Sequence, residues 1–113
     1  PMMGKAMMDL TAPTTKNTAS ILVMSEAESS RKKMTNCLRC GKCVSACPMG
    51  LEPIQIAVLA KQERWEEAEK ECAIDCIECG SCLFTCPAGQ PLLDIIRVAK
   101  SKIGAIRRAR SKK

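Results

Sequence analysis

The residues best equipped to do chemistry are nine cysteines, and eight of them fall into two phrases with one spelling. Residues 37–50 read CLRCGKCVSACPMG and residues 76–89 read CIECGSCLFTCPAG. Each follows C-x2-C-x2-C-x3-C-P, a run of thiols open to use as disulfides, zinc ligands or iron–sulfur ligands. An odd cysteine total and two tight runs argue against a secreted disulfide framework, where spacings are wider and the count is even. Structural zinc takes two pairs of cysteines per ion, usually with a longer spacer between them. Here a third and a fourth cysteine follow at once, then proline, in both copies. The 113 residues include no histidine, which removes Cys2His2 zinc sites and every catalytic triad built on an imidazole.

The spacing therefore points to iron and sulfur. Three cysteines separated by two residues can wrap one face of a cubane and give thiolates to three of its irons. The fourth, turned away ahead of its proline, serves the other cluster in two-cluster ferredoxins. On this pattern Cys37, Cys40, Cys43 and Cys86 hold one [4Fe–4S] cluster, and Cys76, Cys79, Cys82 and Cys47 hold a second. Pro48 and Pro87 keep the chain extended after each crossing cysteine and carry no donor in need of a partner. Gly41 and Gly80 share the slot between the second and third cysteines. The missing Cβ there lets backbone amides approach the sulfides, which raises the reduction potential. Arg39 and Lys42 flank the first set, Glu78 and Ser81 the second, so the first cluster is expected to have the higher potential.

The elements that must position these thiols are helices. A chain of this length supports one small domain with extended ends. Apolar residues make up 46% of it, yet it has one Trp, one Phe and no Tyr, so its thin core needs a staple such as metal. Residues 1–20 show no helical period. Ile21–Met24 is an apolar run of strand-like composition, and residues 25–35 read as a polar linker or one frayed helical turn. Pro53 suits a helix start, and Ile54, Ala57, Val58 and Leu59 follow on one face, predicting a helix over 53–62. The run EEAEKECAI predicts a second over 66–74, with Trp65 as a packing anchor at the joint. Leu92, Ile95, Ile96, Ala99 and Ile103 predict a third over 91–106, with its basic end at the negative pole of the helix dipole. The expected fold class is mainly α: an α-helical ferredoxin-like domain with two [4Fe–4S] clusters over 34–106. An extended segment, 1–33, with one short strand precedes it, and a basic disordered tail, 107–113, follows.

Charge is unevenly placed. Residues 1–33 carry a net +2, residues 34–95 a net −4, and residues 96–113 a net +8. An acidic body with a basic tail does not match a nucleic-acid-binding face, so no nucleic acid partner is expected. The tail is expected either to be solvated or to dock an acidic subunit or anionic lipid. No run of about 18 apolar residues offers a transmembrane segment, and no signal peptide is visible. The expectation is a soluble chain from a reducing compartment, and its start at Pro1 suggests a piece of something longer. Cys72, outside both phrases, is expected to be a small buried residue on the second helix. The Met-rich start is expected either to pack against a missing domain or to be loose.

Three runs, CLRCGKCVSACPMGLEP, RWEEAEK and DCIECGSCLFTCPAGQPLLDIIRVAK, closely resemble the cluster-bearing, C-terminal part of the C subunit of the Rnf electron-transport complex. PMMG followed by APTTKNTASILVM resembles the segment that joins that protein's flavin- and nucleotide-binding region to its cluster domain. The likeness covers all but the basic tail. It implies electron transfer between a flavin–NAD(H) site and other Rnf subunits, linking NAD(H) to ferredoxin and coupled to ion translocation. It also implies a peripheral position at the cytoplasmic face of the bacterial inner membrane, held by partner subunits or the tail. No GxGxxG or other glycine-rich phosphate loop occurs here, so FMN and NAD(H) would belong to a missing upstream domain and this chain has no substrate site of its own. Cobalamin-reductase-type and heterodisulfide-reductase-type redox proteins carry similar cluster domains and form the alternative.

Overall fold

The computed structural model describes residue 7, residues 9–30 and residues 32–111. The readings of the PMMG opening and of Lys112 and Lys113 lie outside the described residues. The chain divides into two compact units, residues 1–31 and residues 32–113.

In the first unit every described residue is exposed, and local polar contacts shape the chain. The Asp9 carboxylate accepts from the Thr11 N–H at 3.0 Å and from its hydroxyl at 2.6 Å. A single helical turn, α1 (Glu26–Ser29), begins where the Glu28 carboxylate accepts from the N–H and hydroxyl of Ser25 at 3.1 and 2.8 Å, the reciprocal arm of a capping box. The strand expected at Ile21–Met24 is not found. These residues are exposed, and the described residues contain no strand to ladder with their backbone. A lone apolar run has β propensity but no sheet to join.

The second unit holds α2 (Lys42–Ser45), α3 (Pro53–Lys61), α4 (Trp65–Lys70), α5 (Ser81–Thr85) and α6 (Leu92–Ser111). Pro53 occupies the first turn of α3, where its absent N–H leaves nothing unpaired. The long α6 packs along α3 and α4. Ile56, Leu59 and Ala60 of α3, Ala68 of α4, and Ile96, Ala99 and Ile103 of α6 make the main core, and Leu51, Trp65 and Ile74 close its edges. Four of those core positions are alanine once Ala73 is counted, which lets helices approach closely where large side chains are scarce. Ile56, Ile96 and Ile103 are fully buried, worth roughly 1.5–3 kcal/mol each in water removed from apolar surface.

Two helix ends differ from expectation. α4 stops at Lys70, because Cys72 takes a left-handed conformation at φ +56° and a 3-10 turn follows at Ala73–Asp75. Cys72 is therefore exposed and off the helix, not buried on it. α6 continues past 106 to Ser111, which corrects the expected disordered tail over those residues. The physical reason is pairing: Arg107 meets Glu69 at 2.5 Å, and Arg110 meets Glu66 at 2.8 Å and Glu69 at 3.2 Å. Arg97 and Lys100 both pair with Glu78. Among the described residues of this stretch, Arg97, Lys100, Arg107 and Arg110 thus meet acids of this same chain. No helix among the described residues is long and apolar enough to cross a membrane.

Candidate metal centre

Both cysteine phrases fold alike. Two residues after the first cysteine stand Arg39 and Glu78, left-handed at φ +53° and +59°, and two residues later Gly41 and Gly80 at +73° and +80°. A non-glycine residue held there costs roughly 1–2 kcal/mol. Strain at the same position in both copies marks a shape the loop needs. That shape turns the Arg39 N–H onto the Cys37 sulfur and the Glu78 N–H onto the Cys76 sulfur, each at 3.4 Å. A Cβ on Gly41 would meet nothing within 4 Å, and one on Gly80 only a Leu93 methyl at 3.6 Å. Conformation is what calls for glycine here, with no crowding to demand it. The short α2 and α5 begin immediately after these glycines.

The thiols gather in two groups. Cys37, Cys40, Cys43 and Cys86 line a cavity of about 400 Å³. Cys76, Cys79, Cys82 and Cys47 line another of about 20 Å³. Each cavity therefore takes three thiols from one phrase and the fourth from the other. Local structure explains the crossing: the Cys47 N–H closes on the Val44 carbonyl at the end of α2, and Pro48 sends the chain on toward α3. Pro48, Pro53 and Ile56 all line the second cavity, as Pro87 and Ala88 line the first.

The two surroundings differ. Met49, Leu51, Ile56, Ile77, Leu93 and Ile96 wall the second cavity. The first is open: Cys37 and Cys40 are exposed, Leu38 is 68% exposed and Val58 40%. Ala57, Leu92 and Cys82 of one group form a buried apolar cluster, and Cys43 of the other group packs against it. Burial raises the Cys43 thiol, with Cys86 adding to it. Burial pushes the Cys82 thiol up to about 11, helped by the nearby Cys76 and Cys79. The Ser81 hydroxyl, 3.4 Å from the Cys79 sulfur, lowers that thiol. Metal binds thiolates, so a bound cation must displace the protons that burial favours.

Several contributors had no local signal in the sequence. Arg97 and Lys100 reach Glu78 at 2.9 and 2.8 Å, and Lys100 also donates to the Cys76 carbonyl at 2.7 Å. These hydrogen bonds hold the Glu78 carboxyl below its ordinary range, those from Lys100 and then Arg97 acting most. The expected contrast of a basic first phrase and an acidic second is therefore weaker than the local sequence implies, since two cations from α6 outnumber Glu78. The three-residue spacing of Arg97 and Lys100 on one helix face was the available clue. Gln90 was missed altogether.

Eight thiols without imidazole or carboxylate, set in fours around glycine-lined cavities, suit a cubane, which keeps its thiolates apart on separate corners. Among the described residues no three His, Cys, Asp or Glu side chains form a group able to hold a single metal ion. The family model of the 4Fe-4S dicluster domain matches residues 29–87, which include all eight paired cysteines, and a second model of the same description matches residues 3–52. The chain belongs to the 4Fe-4S dicluster domain family. It is also 44% identical over 108 residues to the C subunit of the Na+-translocating ferredoxin:NAD+ oxidoreductase complex of Acetobacterium woodii, covering 96% of this chain and 24% of that protein. The C subunit of the ion-translocating oxidoreductase complex of Methanosarcina acetivorans is 45% identical over 92 residues, 81% of this chain and 21% of its own length. The C subunit of the proton-translocating ferredoxin:NAD+ oxidoreductase complex of Clostridium ljungdahlii is 40% identical over 71 residues, 63% and 16% respectively. The chain thus spans a quarter or less of the length of these relatives. As a dicluster domain it has [4Fe–4S] as its cofactor class.

Proposed function

We propose that this dicluster domain is an electron-transfer module holding two [4Fe–4S] clusters, one on Cys37, Cys40, Cys43 and Cys86, the other on Cys76, Cys79, Cys82 and Cys47. The observation that carries the reading is the crossed grouping of thiols around two cavities. When bound, such a cluster supplies a one-electron couple whose potential depends on charge, solvent and hydrogen bonds to sulfur. The chain's own residues supply those terms. The Arg39 and Glu78 N–H groups donate to ligand sulfurs. Met49, Leu51, Ile56 and Leu93 keep water from the second group, and Lys100 and Arg97 place positive charge beside it.

The named relatives support a setting in an ion-translocating ferredoxin:NAD oxidoreductase complex, with other subunits of that complex as partners and peripheral attachment at the cytoplasmic face of the membrane. FMN and NAD(H) chemistry then belongs to other parts of the parent protein, and residues 1–33 act as the connection to them. Anaerobic reconstitution followed by iron, sulfide and zinc analysis tests the core of this reading. The expected result is about eight irons and eight sulfides per chain, with two signals in low-temperature EPR after reduction. A colourless protein holding two zinc ions would overturn it.

A further inference from the structure

Gln90 is the one polar side chain that is buried among the described residues, at 8% exposed. Its amide is used at both ends: Nε2 donates to the Thr35 carbonyl, and Oε1 accepts from the Lys61 ammonium at 3.4 Å. The Thr35 N–H in turn donates to the Ala88 carbonyl at 2.9 Å. Between these bonds the backbones nearly touch. A Cβ on Gly89, at φ +60°, would lie 2.9 Å from the Lys32 carbonyl oxygen and 3.1 Å from that of Lys33. Gly50, at the same place in the first phrase, would meet nothing within 4 Å.

The segment entering the first phrase is therefore fastened to the segment leaving the second. Thr35 lies two residues before Cys37, and Ala88 lies two residues after Cys86. These are the first and last members of the open thiol group, far apart along the chain. The closed group has no need of such a fastening. Its Cys47 and Cys76 arms are seated by Leu51, Pro53 and Ile56 on one side and by the main core on the other.

We propose that Gln90, together with Gly89, is a positioning residue that holds Cys37 opposite Cys86, so that the open thiol group is assembled before its cofactor arrives. This rests on the electron-transfer reading above. Gln90 is buried while its partners Thr35 and Lys61 lie on exposed residues, so a single change at Gln90 removes both tethers at once and returns those partners to water. Loosening it frees the entry segment and opens one group while leaving the other closed.

The test uses the full chain in three backgrounds reconstituted under nitrogen: all cysteines present, C76S/C79S to keep only the first site, and C37S/C40S to keep only the second. Into each goes Gln90→Leu, which keeps bulk and removes both bonds, or Thr35→Pro, which removes the Thr35 N–H at an exposed position and keeps Gln90. Iron content and the rate of iron release to a chelator are read. Both variants should speed release severalfold and lower iron content in the first-site background, and leave the second-site background unchanged. Equal effects in both backgrounds, or none in the first, would overturn the positioning role. Failure of the all-cysteine parent to take up iron would instead overturn the electron-transfer reading beneath it.

Discussion

The two cysteine phrases share spelling, left-handed turns and N–H to sulfur bonds, yet they occupy different surroundings. The first sits on an open cavity with exposed thiols and a protruding Leu38, and the second is walled by the apolar faces of α3 and α6. Phe84, in the second phrase, is 85% exposed, although Cys82 on the same short α5 is buried. The difference teaches that spacing fixes which sulfurs can meet, whereas accessibility and charge are written elsewhere, in helices that arrive later in the chain. Cys43 and Cys82 stand at the same position in their phrases, but burial raises the second much more clearly.

The hardest test of the comparison is to break each group through its visiting cysteine. Cys86→Ser should empty the open site and Cys47→Ser the closed one, each lowering iron from about eight to about four per chain. Each variant should also remove a different EPR signal. Loss of the same signal in both, or pairing of Cys86 with its own phrase, would remove the crossed arrangement. A second test compares two residues of α3, one facing each cavity. Ile56→Ala deletes a fully buried side chain and should cost about 2–5 kcal/mol in anaerobic urea unfolding. Val58→Ala, half exposed over the open cavity, should cost only about 1 kcal/mol. Similar costs would mean that the second group is not the better buried one.

A smaller effect separates the rims by charge. Arg39 stands on the open cavity without an ion pair among the described residues, while Glu78 in the corresponding position is held by Arg97 and Lys100. At low salt, oxidation of the reduced protein by ferricyanide should slow roughly two- to fivefold in Arg39→Gln, and oxidation by hexaammineruthenium(III) should not slow. High salt should erase the gap. A slowing that persists at high salt would point to altered packing at the first site.

The helices and the repeated spelling of the cysteine phrases were legible because they rest on local rules. Pro53, the apolar stripe from Leu92 to Ile103 and the repeated cysteine spacing each state their own consequence. What escaped was long-range. Gln90 meets Thr35 across 55 positions and Arg110 meets Glu66 across 44, and no short window contains both partners. Ile21–Met24 failed as a strand for the same reason, since a strand exists only beside another. Cys72 escaped differently: its neighbours favour helix, but a left-handed residue ends α4 and lifts the thiol into solvent.

The finest expected effect concerns the brace behind the closed group, where α4 holds the last turns of α6. Hydrogen bonding to Arg107 is the largest cause that keeps the Glu69 carboxyl below its ordinary range, and the charges of Arg107 and Arg110 add to it. A carboxyl whose pKa is lower in the folded chain contributes stability above its unfolded value, near pH 4.3, and loses that contribution as pH falls through the folded value. Helicity of the parent, followed by circular dichroism, should therefore exceed that of Glu69→Gln at pH 7. The two should draw together as pH falls from about 4.5 and coincide once Glu69 is protonated in both states. Added salt should narrow the difference at pH 7, because the pairs are partly exposed. If the curves already coincide at pH 7, the ion pairs do not hold the helix end, and its extension beyond residue 106 needs another cause.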